Sequence, residues 1–380
     1  MKKILALVLT IGMLFSLTAC GGDKTIQKAD YEKMTADDLL KNIKDKQNVT
    51  LDEFVELVST LSYVNITEDM ELEDNITLEA IQKLRDSNAT LPSASEYVEP
   101  LLKSDSPQVR GYAVSDITSL FGVSDENLAA AKEMLKNETD PYVLCRAVRA
   151  LANEGGSDAD VGQFLIDMTK HENKYVRKQA AMNLSSSWNE NLEGAVDAMI
   201  DLMDDEDLDV RDAAYRYAGG LNDEKIIEPI VSMLNNPDDE QFHANGINSL
   251  VKLWYDYPFH KNTSETAYRA TMDYLRTTPV TDKIPTWTAV TSFKNKADNF
   301  DEWRARATYY NPDEIEQIMT DLIKNPDANW LGRTGAVEVI AAHCSKEAFD
   351  ALSSVVDSLT DNNAKFIQDE YKSQTENLNK

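Results

Sequence analysis

Apolar residues recur at helical spacing through most of this chain, and from residue 94 onward the spacing itself repeats. After Thr50, the residues Leu51, Phe54, Val55, Leu57, Val58 and Leu61 fall on one helical face. Thr35 with Asp38, and Thr50 with Glu53, have the spacing of capping boxes and predict two helix starts. Leu78, Ile81 and Leu84 predict another helix, after an acidic, weakly patterned loop from Asn65 to Asn75. Residues 31–93 therefore read as a small helical N-terminal region. Beyond it, the segments QVRGYAVSDITSL, YVLCRAVRAL, YVRKQAAMNL and DVRDAAYRYAGGL align on Val109, Val143, Val176 and Val210, in steps of 34, 33 and 34 residues. Four residues after each Val stands Ala113, Ala147, Ala180 or Ala214, and eight after stands Ile117, Leu151, Leu184 or Ala218. Offsets 0, 4 and 8 share one face of a helix. A fifth copy enters at Phe242, with Gly246 and Leu250. Before these helices lies another amphipathic helix, as in VGQFLIDMT or AVDAMIDLM, joined to the next by a short Asp/Asn/Pro turn.

A helix pair repeated with this period predicts an all-α fold, an α-solenoid, because one pair cannot cover its own apolar face and stacking neighbours does. The order Asp or Asn, then Val-Arg, then Ala and Leu resembles HEAT repeats, including those of the bilin-lyase (PBS-lyase) type. The resemblance covers about 94–255 and returns in PDEIEQIMTDLIKNPDANWLGRTGAVEVIAAH, with Leu331, Gly335 and Val339 in register. The solenoid is expected over 94–359, with an irregular aromatic-rich section at 254–310 and a polar C-terminal tail at 360–380. The resemblance implies that the Arg after the Val pairs with turn carboxylates as a ladder along the stack. Arg110, Arg177 and Arg211 fit that role, and Leu144 and His243 interrupt it. It also implies a concave face lined by the second helices, and protein–protein contact as the function.

The N-terminus changes where such a solenoid would work. Met1-Lys2-Lys3 is a basic start, and Ile4–Leu17 is an apolar run of signal-peptide length, too short for a comfortable membrane span. The stretch Leu17-Thr18-Ala19-Cys20 resembles the lipobox of bacterial lipoproteins. That resemblance implies a signal peptide over 1–19, a diacylglyceryl group on Cys20, and a tether over 20–30 leading from the outer face of a membrane. Removing the leader takes the net charge from −28 to −30, which disfavours nucleic acid as a partner. Besides Cys20 only Cys145 and Cys344 remain, so no disulfide framework is expected.

Candidate chemistry is sparse. Asp204–Asp209 lacks the glycine and distal glutamate of a calcium loop and reads as a turn with its N-cap. His171, His243, His260 and His343 form no zinc pattern, and no nucleophile–base pair stands out. No metal, cofactor or catalytic activity is expected. Residues 254–310 hold 12 of the 30 aromatic residues, enough to read either as an irregular core or as a contact patch for protein or glycan. The patch candidates are Trp254, Tyr255, Tyr257, Phe259, Trp303, Tyr309 and Tyr310. On the second helices, offsets 2 and 6 point away from the repeat core: Gly111 and Ser115, Cys145 and Arg149, Lys178 and Met182, Asp212 and Arg216, Ala244 and Asn248. Arg149, Lys178 and Arg216 give that face a basic character.

The sequence thus predicts a membrane-anchored, extracytoplasmic scaffold that binds a protein partner, with a glycan- or solute-binding lipoprotein as the alternative and an enzyme on the same frame as the third reading. The repeat register carries its own test. Ala180→Trp or Ala214→Trp should overpack the helix contact and lower stability by about 3 kcal/mol or more. Chemical denaturation measures this, and an unchanged midpoint would refute the register.

Overall fold

The computed structural model describes residues 16–17, 24–25, 28–31, 33–63, 76–117, 124–186, 189, 191–277 and 284–378. Cys20, most of the leader and the Asn65–Asn75 loop lie outside the described residues. Apart from a two-residue antiparallel pairing of Ser16–Leu17 with Lys24–Thr25, the described elements are helical, and the fold is an all-α solenoid. The chain divides into two compact units, Met1–Leu151 and Ala152–Lys380.

In the first unit the segment expected as a tether already begins a helix at Lys28, which runs to Tyr31. Helices Ala36–Leu40 and Leu51–Ser59 follow, and both start at the predicted capping boxes. Thr35 and Thr50 each accept a backbone N–H, from Asp38 and Glu53, and those carboxylates reach back to the cap N–H. After helix Ile76–Asp86 come two helix pairs, Ala94–Leu102 with Pro107–Asp116, and Asp125–Leu135 with Pro141–Leu151. Val109, Ala113, Val143, Ala147 and Leu151 are fully buried, as their register requires. Gly111 is buried too. A Cβ there would stand 2.2 Å from the Tyr142 ring, so this offset-2 position is a helix–helix contact and not part of an open face.

The second unit pairs Ala159–Met168 with Lys174–Leu184, Ala195–Met203 with Leu208–Tyr217, and Ile227–Leu234 with His243–Lys252. It continues with Glu265–Thr277 and Ile284–Ser292, the short helix Phe300–Arg306, then Pro312–Lys324 with Trp330–His343 and Lys346–Ser358 with Ala364–Leu378. Each second helix packs on the next along the unit. Gly219 and Gly220 permit one such approach, since a Cβ would lie 2.5 Å from the Ser249 carbonyl in one case and 2.7 Å from that of Ser185 in the other. Side-chain bridges between successive second helices join residues 33 apart at Asn245–Asp212, but 44 apart at Ser292–Asn248 and Lys294–Glu338.

The arginine ladder is present, and its spacing is uniform. Arg110 donates to Glu138 at 2.7 and 3.1 Å, Arg177 to Asp205 at 2.7 and 2.9 Å, and Arg211 to Asp239 at 2.7 Å, each across 28 residues. The same guanidinium also donates to carbonyls of its own turn: Ser104 and Asp105 for Arg110, His171 and Glu172 for Arg177, and Met203 for Arg211. Each rung thus ties one inter-helix turn to the turn of the next repeat. Burial works against the Glu138 and Asp205 carboxylates, yet the paired guanidinium and backbone N–H groups hold both below their ordinary pKa. The Asp204–Asp209 run is the turn it was read as: Asp205 takes the rung and Asp207 caps helix Leu208–Tyr217. His243 keeps only the local half, contacting the Met233 and Asn236 carbonyls at 3.1 Å.

A fourth rung corrects two expectations. Arg333, fully buried, donates to both oxygens of Asp361 at 2.8 and 2.9 Å, again across 28 residues, and to the Ile323 carbonyl. That spacing puts Gly332, Ala336 and Ile340 at offsets 0, 4 and 8, one residue from the expected Leu331, Gly335 and Val339; Leu331 is only half-buried while Ala336 and Ile340 are inaccessible. Residues 360–380 are likewise not a tail. Ala364–Leu378 is a helix with Ile367 buried against the preceding pair, because one apolar face and the Asp361 rung suffice to dock a segment that is polar overall.

Arg333→Leu strands the buried Ile323 carbonyl and the Asp361 carboxylate, and is expected to cost about 3 kcal/mol in denaturant unfolding. Adding Asp361→Leu should recover part of that loss. A single variant with wild-type stability would show that the rung does not hold the last helix pair.

Candidate functional site

Residues 254–310 form, in the main, the core of the second unit. Trp254, Tyr255, Trp303 and Tyr310 are buried, which removes them as contact candidates and corrects the patch reading for these four. They pack with Tyr268, Phe293, Phe300, His260 and His343 in a web of ring contacts at centroid separations such as 5.0 Å for Tyr255–Trp303 and 5.2 Å for Trp303–Tyr310. The physical reason is volume. Longer loops between Lys252 and Phe300 open a wider space than a regular repeat does, and large rings fill it. Several inward-facing polar edges of these rings find partners: Trp254 Nε1 donates to Thr271, Trp303 Nε1 to the Asn262 carbonyl, and Tyr255 Oη to the Asn295 carbonyl, whereas His260 Nδ1 is buried without one. Tyr309 is half-buried against Tyr268.

His343 is the polar centre of this core. Its Nε2 donates to the Phe293 carbonyl at 2.6 Å, so Nδ1 accepts from the Tyr310 hydroxyl at 2.5 Å. These roles are those of the neutral imidazole, the form that burial favours. Burial, helped by Lys296 nearby, pushes its pKa down to about 3. His260, also inaccessible, accepts from the Ala297 N–H at 3.2 Å, and burial lowers its pKa as well.

Two of the aromatic candidates are on the surface. Tyr257 is 47 % and Phe259 64 % exposed, on either side of Pro258 at the tip of a loop. The loop is tightly held from below. The Asp256 carbonyl accepts from Phe259 and His260 N–H, its carboxylate accepts from Asn262 N–H, Asn299 donates to the Phe259 carbonyl, and Arg306 donates to the carbonyls of His260 and Lys261. His260 itself has φ +47°, a left-handed conformation that costs a non-glycine residue about 1 kcal/mol and persists here because so many contacts fix it.

The basic candidates are divided between the units. Arg149 is exposed on the last helix of the first unit, whereas Cys145 beside it is buried. Lys178 and Arg216 stand on neighbouring helices of the second. Lys178 is half-buried, and Arg216 pairs with Asp212 at 3.2 Å while Asn245 donates to the same carboxylate at 2.5 Å. Reading by charge type alone missed the rest of this strip: Asn248–Ser292 and the Glu338–Lys294 pair continue it along the stacked second helices. Among the described residues no group of three or more His, Cys, Asp or Glu side chains is placed to hold a metal ion, and no helix is long and apolar enough to cross a membrane.

The buried histidines give the second unit a pH signature. A neutral His343 with a folded pKa far below its unfolded value means that the unfolded chain binds protons first as pH falls below about 6.5. Stability is therefore constant above that pH and declines below it, by up to about 1.4 kcal/mol per pH unit per histidine, until the folded pKa is reached. Urea midpoints at descending pH should show this slope, and His343→Gln should reduce it. An equal slope in the variant would assign the loss to other groups.

Comparison with known proteins accords with this architecture. Residues 95–185 and 162–250 match the model of a family described as HEAT repeats. No curated protein matches the chain. Among solved structures, the complex of CpcE and CpcF of phycocyanin lyase from Nostoc sp. PCC7120 is similar at 15 % identity and TM-score 0.38, covering 76 % of this chain and 96 % of that one. A chain in the structure of Kap95p with RanGDP is similar at 12 % identity and TM-score 0.41, over 88 % of this chain and 51 % of that one. An engineered protein is similar at 17 % identity and TM-score 0.31, over 93 % of this chain and all of that one. The similarity to HEAT repeats thus spans residues 95–250.

Proposed function

We propose that this protein is a non-catalytic binding module that captures a protein partner along the second-helix face of its repeats, held by a lipid on Cys20 at the extracytoplasmic side of a membrane. The observation that carries the binding reading is the polar strip of the second unit. Lys178, Asp212 with Arg216, Asn245, Asn248 with Ser292, and Lys294 with Glu338 follow one another from helix to helix. A long strip on stacked helices suits an extended polypeptide better than a small solute, which needs an enclosing pocket. Solenoid repeats also supply such a surface without moving parts, so little ordering cost falls on this side of the complex. For the glycan alternative, burial of Trp254, Tyr255, Trp303 and Tyr310 leaves Tyr257 and Phe259 as the exposed rings, a smaller stacking surface than the sequence suggested. The anchor rests on the lipobox-like LTAC and the apolar run before it.

Cross-linking and recovery of the protein from intact cells tests both halves. Cys20→Ala should move the protein out of the membrane fraction in detergent-free washes; retention would refute the anchor. Joint reversal of Lys178 and Arg216 to Glu should reduce the cross-linked partner at least about tenfold with an unchanged melting midpoint. Undiminished capture would refute this face.

A further inference from the structure

The Tyr257–Phe259 tip is a second surface, apart from the strip, and its surroundings say what it would accept. Two cations, Lys261 and Arg306, contact the loop, and two more, Lys296 and Arg304, lie against the rings beneath it. Lys261 follows it in the chain, with its Nζ 5.8 Å from the centre of the Phe259 ring. Arg306 holds the loop from below through the His260 and Lys261 carbonyls. Lys296 and Arg304 flank Phe300 and Tyr310, at 4.3 and 5.8 Å from those rings, on the segment to which Asn299 and Ala297 bind the loop. All four are exposed, and among the described residues none forms an ion pair. In a chain with 66 acidic and 38 basic residues that is unusual company, because most cations elsewhere in the fold lie against a carboxylate. Lys296 and Arg304 are close enough to repel. Partial burial and that repulsion both lower the Lys296 pKa, so an incoming anion would relieve strain between them.

We infer that the exposed Tyr257 and Phe259 rings, with Lys261, Lys296, Arg304 and Arg306 around them, form a docking site for an acidic segment of a protein partner that also presents an apolar side chain. Charge complementarity selects the acid, and the two rings supply the apolar contact. The loop is already fixed in its exposed form, so binding need not order it. An anionic membrane surface has the same charge but fits less well. A bilayer surface needs a deep apolar insertion to hold a protein of this net charge, and two rings on one loop are a shallow anchor, whereas a single apolar side chain of a peptide matches them. The site rests on the reading of the chain as a protein-binding module and adds to it a second contact with a defined chemistry.

The test uses a fluorescent synthetic peptide carrying Asp and Glu around a single Trp, its counterpart with Lys for every acid, and vesicles of phosphatidylglycerol with phosphatidylcholine. The full chain should bind the acidic peptide alone. Affinity should fall ~30-fold in Tyr257→Ala/Phe259→Ala and again in Lys296→Glu/Arg304→Glu, with unchanged circular dichroism and melting midpoint. Equal binding by wild type and variants, no binding of the acidic peptide, or binding of the vesicles in its place would overturn the inference. In cells, a photo-cross-linking residue at position 259 should give protein adducts that Lys296→Glu/Arg304→Glu abolishes. Adducts from position 216 alone would refute this site and leave the module intact, and adducts from neither position would refute both.

Discussion

The rest of the fold depends on a single recurring bond, the guanidinium that ties one inter-helix turn to the next. Apolar stacking alone gives helices no reason to prefer one stagger over another, since hydrophobic contact is not directional. The arginine supplies direction. Its planar fork meets a carboxylate from the following repeat while a remaining N–H group takes carbonyls of its own turn, His171 and Glu172 in the case of Arg177. One side chain therefore pins its own inter-helix turn and sets the register of the next pair. The cost of burying the charge is offset because both sides of the pair are fully hydrogen-bonded, as at Arg333 and Asp361.

On that frame the chain carries two kinds of surface. The second helices offer a long polar strip whose side chains already bond across helix boundaries, and the irregular section offers a compact aromatic tip ringed by cations. The two differ in character. A strip of modest, distributed contacts gives reach and register along a partner, whereas a tip with two exposed rings concentrates energy at a point. The aromatic core beneath the tip serves it indirectly. Tyr255, Trp303 and His260 hold the floor on which Asp256 and Asn262 shape the loop, so residues that touch no partner decide where Phe259 stands.

Much of this was legible in the sequence. The Val, Ala and Leu of the repeats and the capping boxes at Thr35 and Thr50 follow from local chemistry at fixed spacing, and the rungs at Arg110, Arg177 and Arg211 were implied by the resemblance to HEAT repeats. What failed were inferences needing a partner far along the chain. The register around Trp330–His343 slipped by one because Gly332, Gly335, Ala336, Val339 and Ile340 offer two equally apolar faces, and only the distant Asp361 distinguishes them. The last helix looked like a tail because its composition is polar, while docking needs only a narrow face. For the aromatic section, ring content gave the amount of apolar surface but not its side. Tyr255 and Tyr257 are two residues apart, and one is buried while the other is exposed.

The spacing of 28 residues between arginine and acid also acts as a ruler. A rung that must span from one turn to the next tolerates no added length in the helices and turn it encloses. Along the second unit the helix-to-helix bridge lengthens from 33 to 44 residues just past His243, where the imidazole bonds only within its own turn. With that constraint lifted, the chain accommodates the extra segment that became the Tyr257–Phe259 tip. In this chain the added segment lies past the gap at His243, while the gap at Leu144 keeps a repeat step of 33 residues, and loop grafts should be tolerated past His243 and resisted between intact rungs.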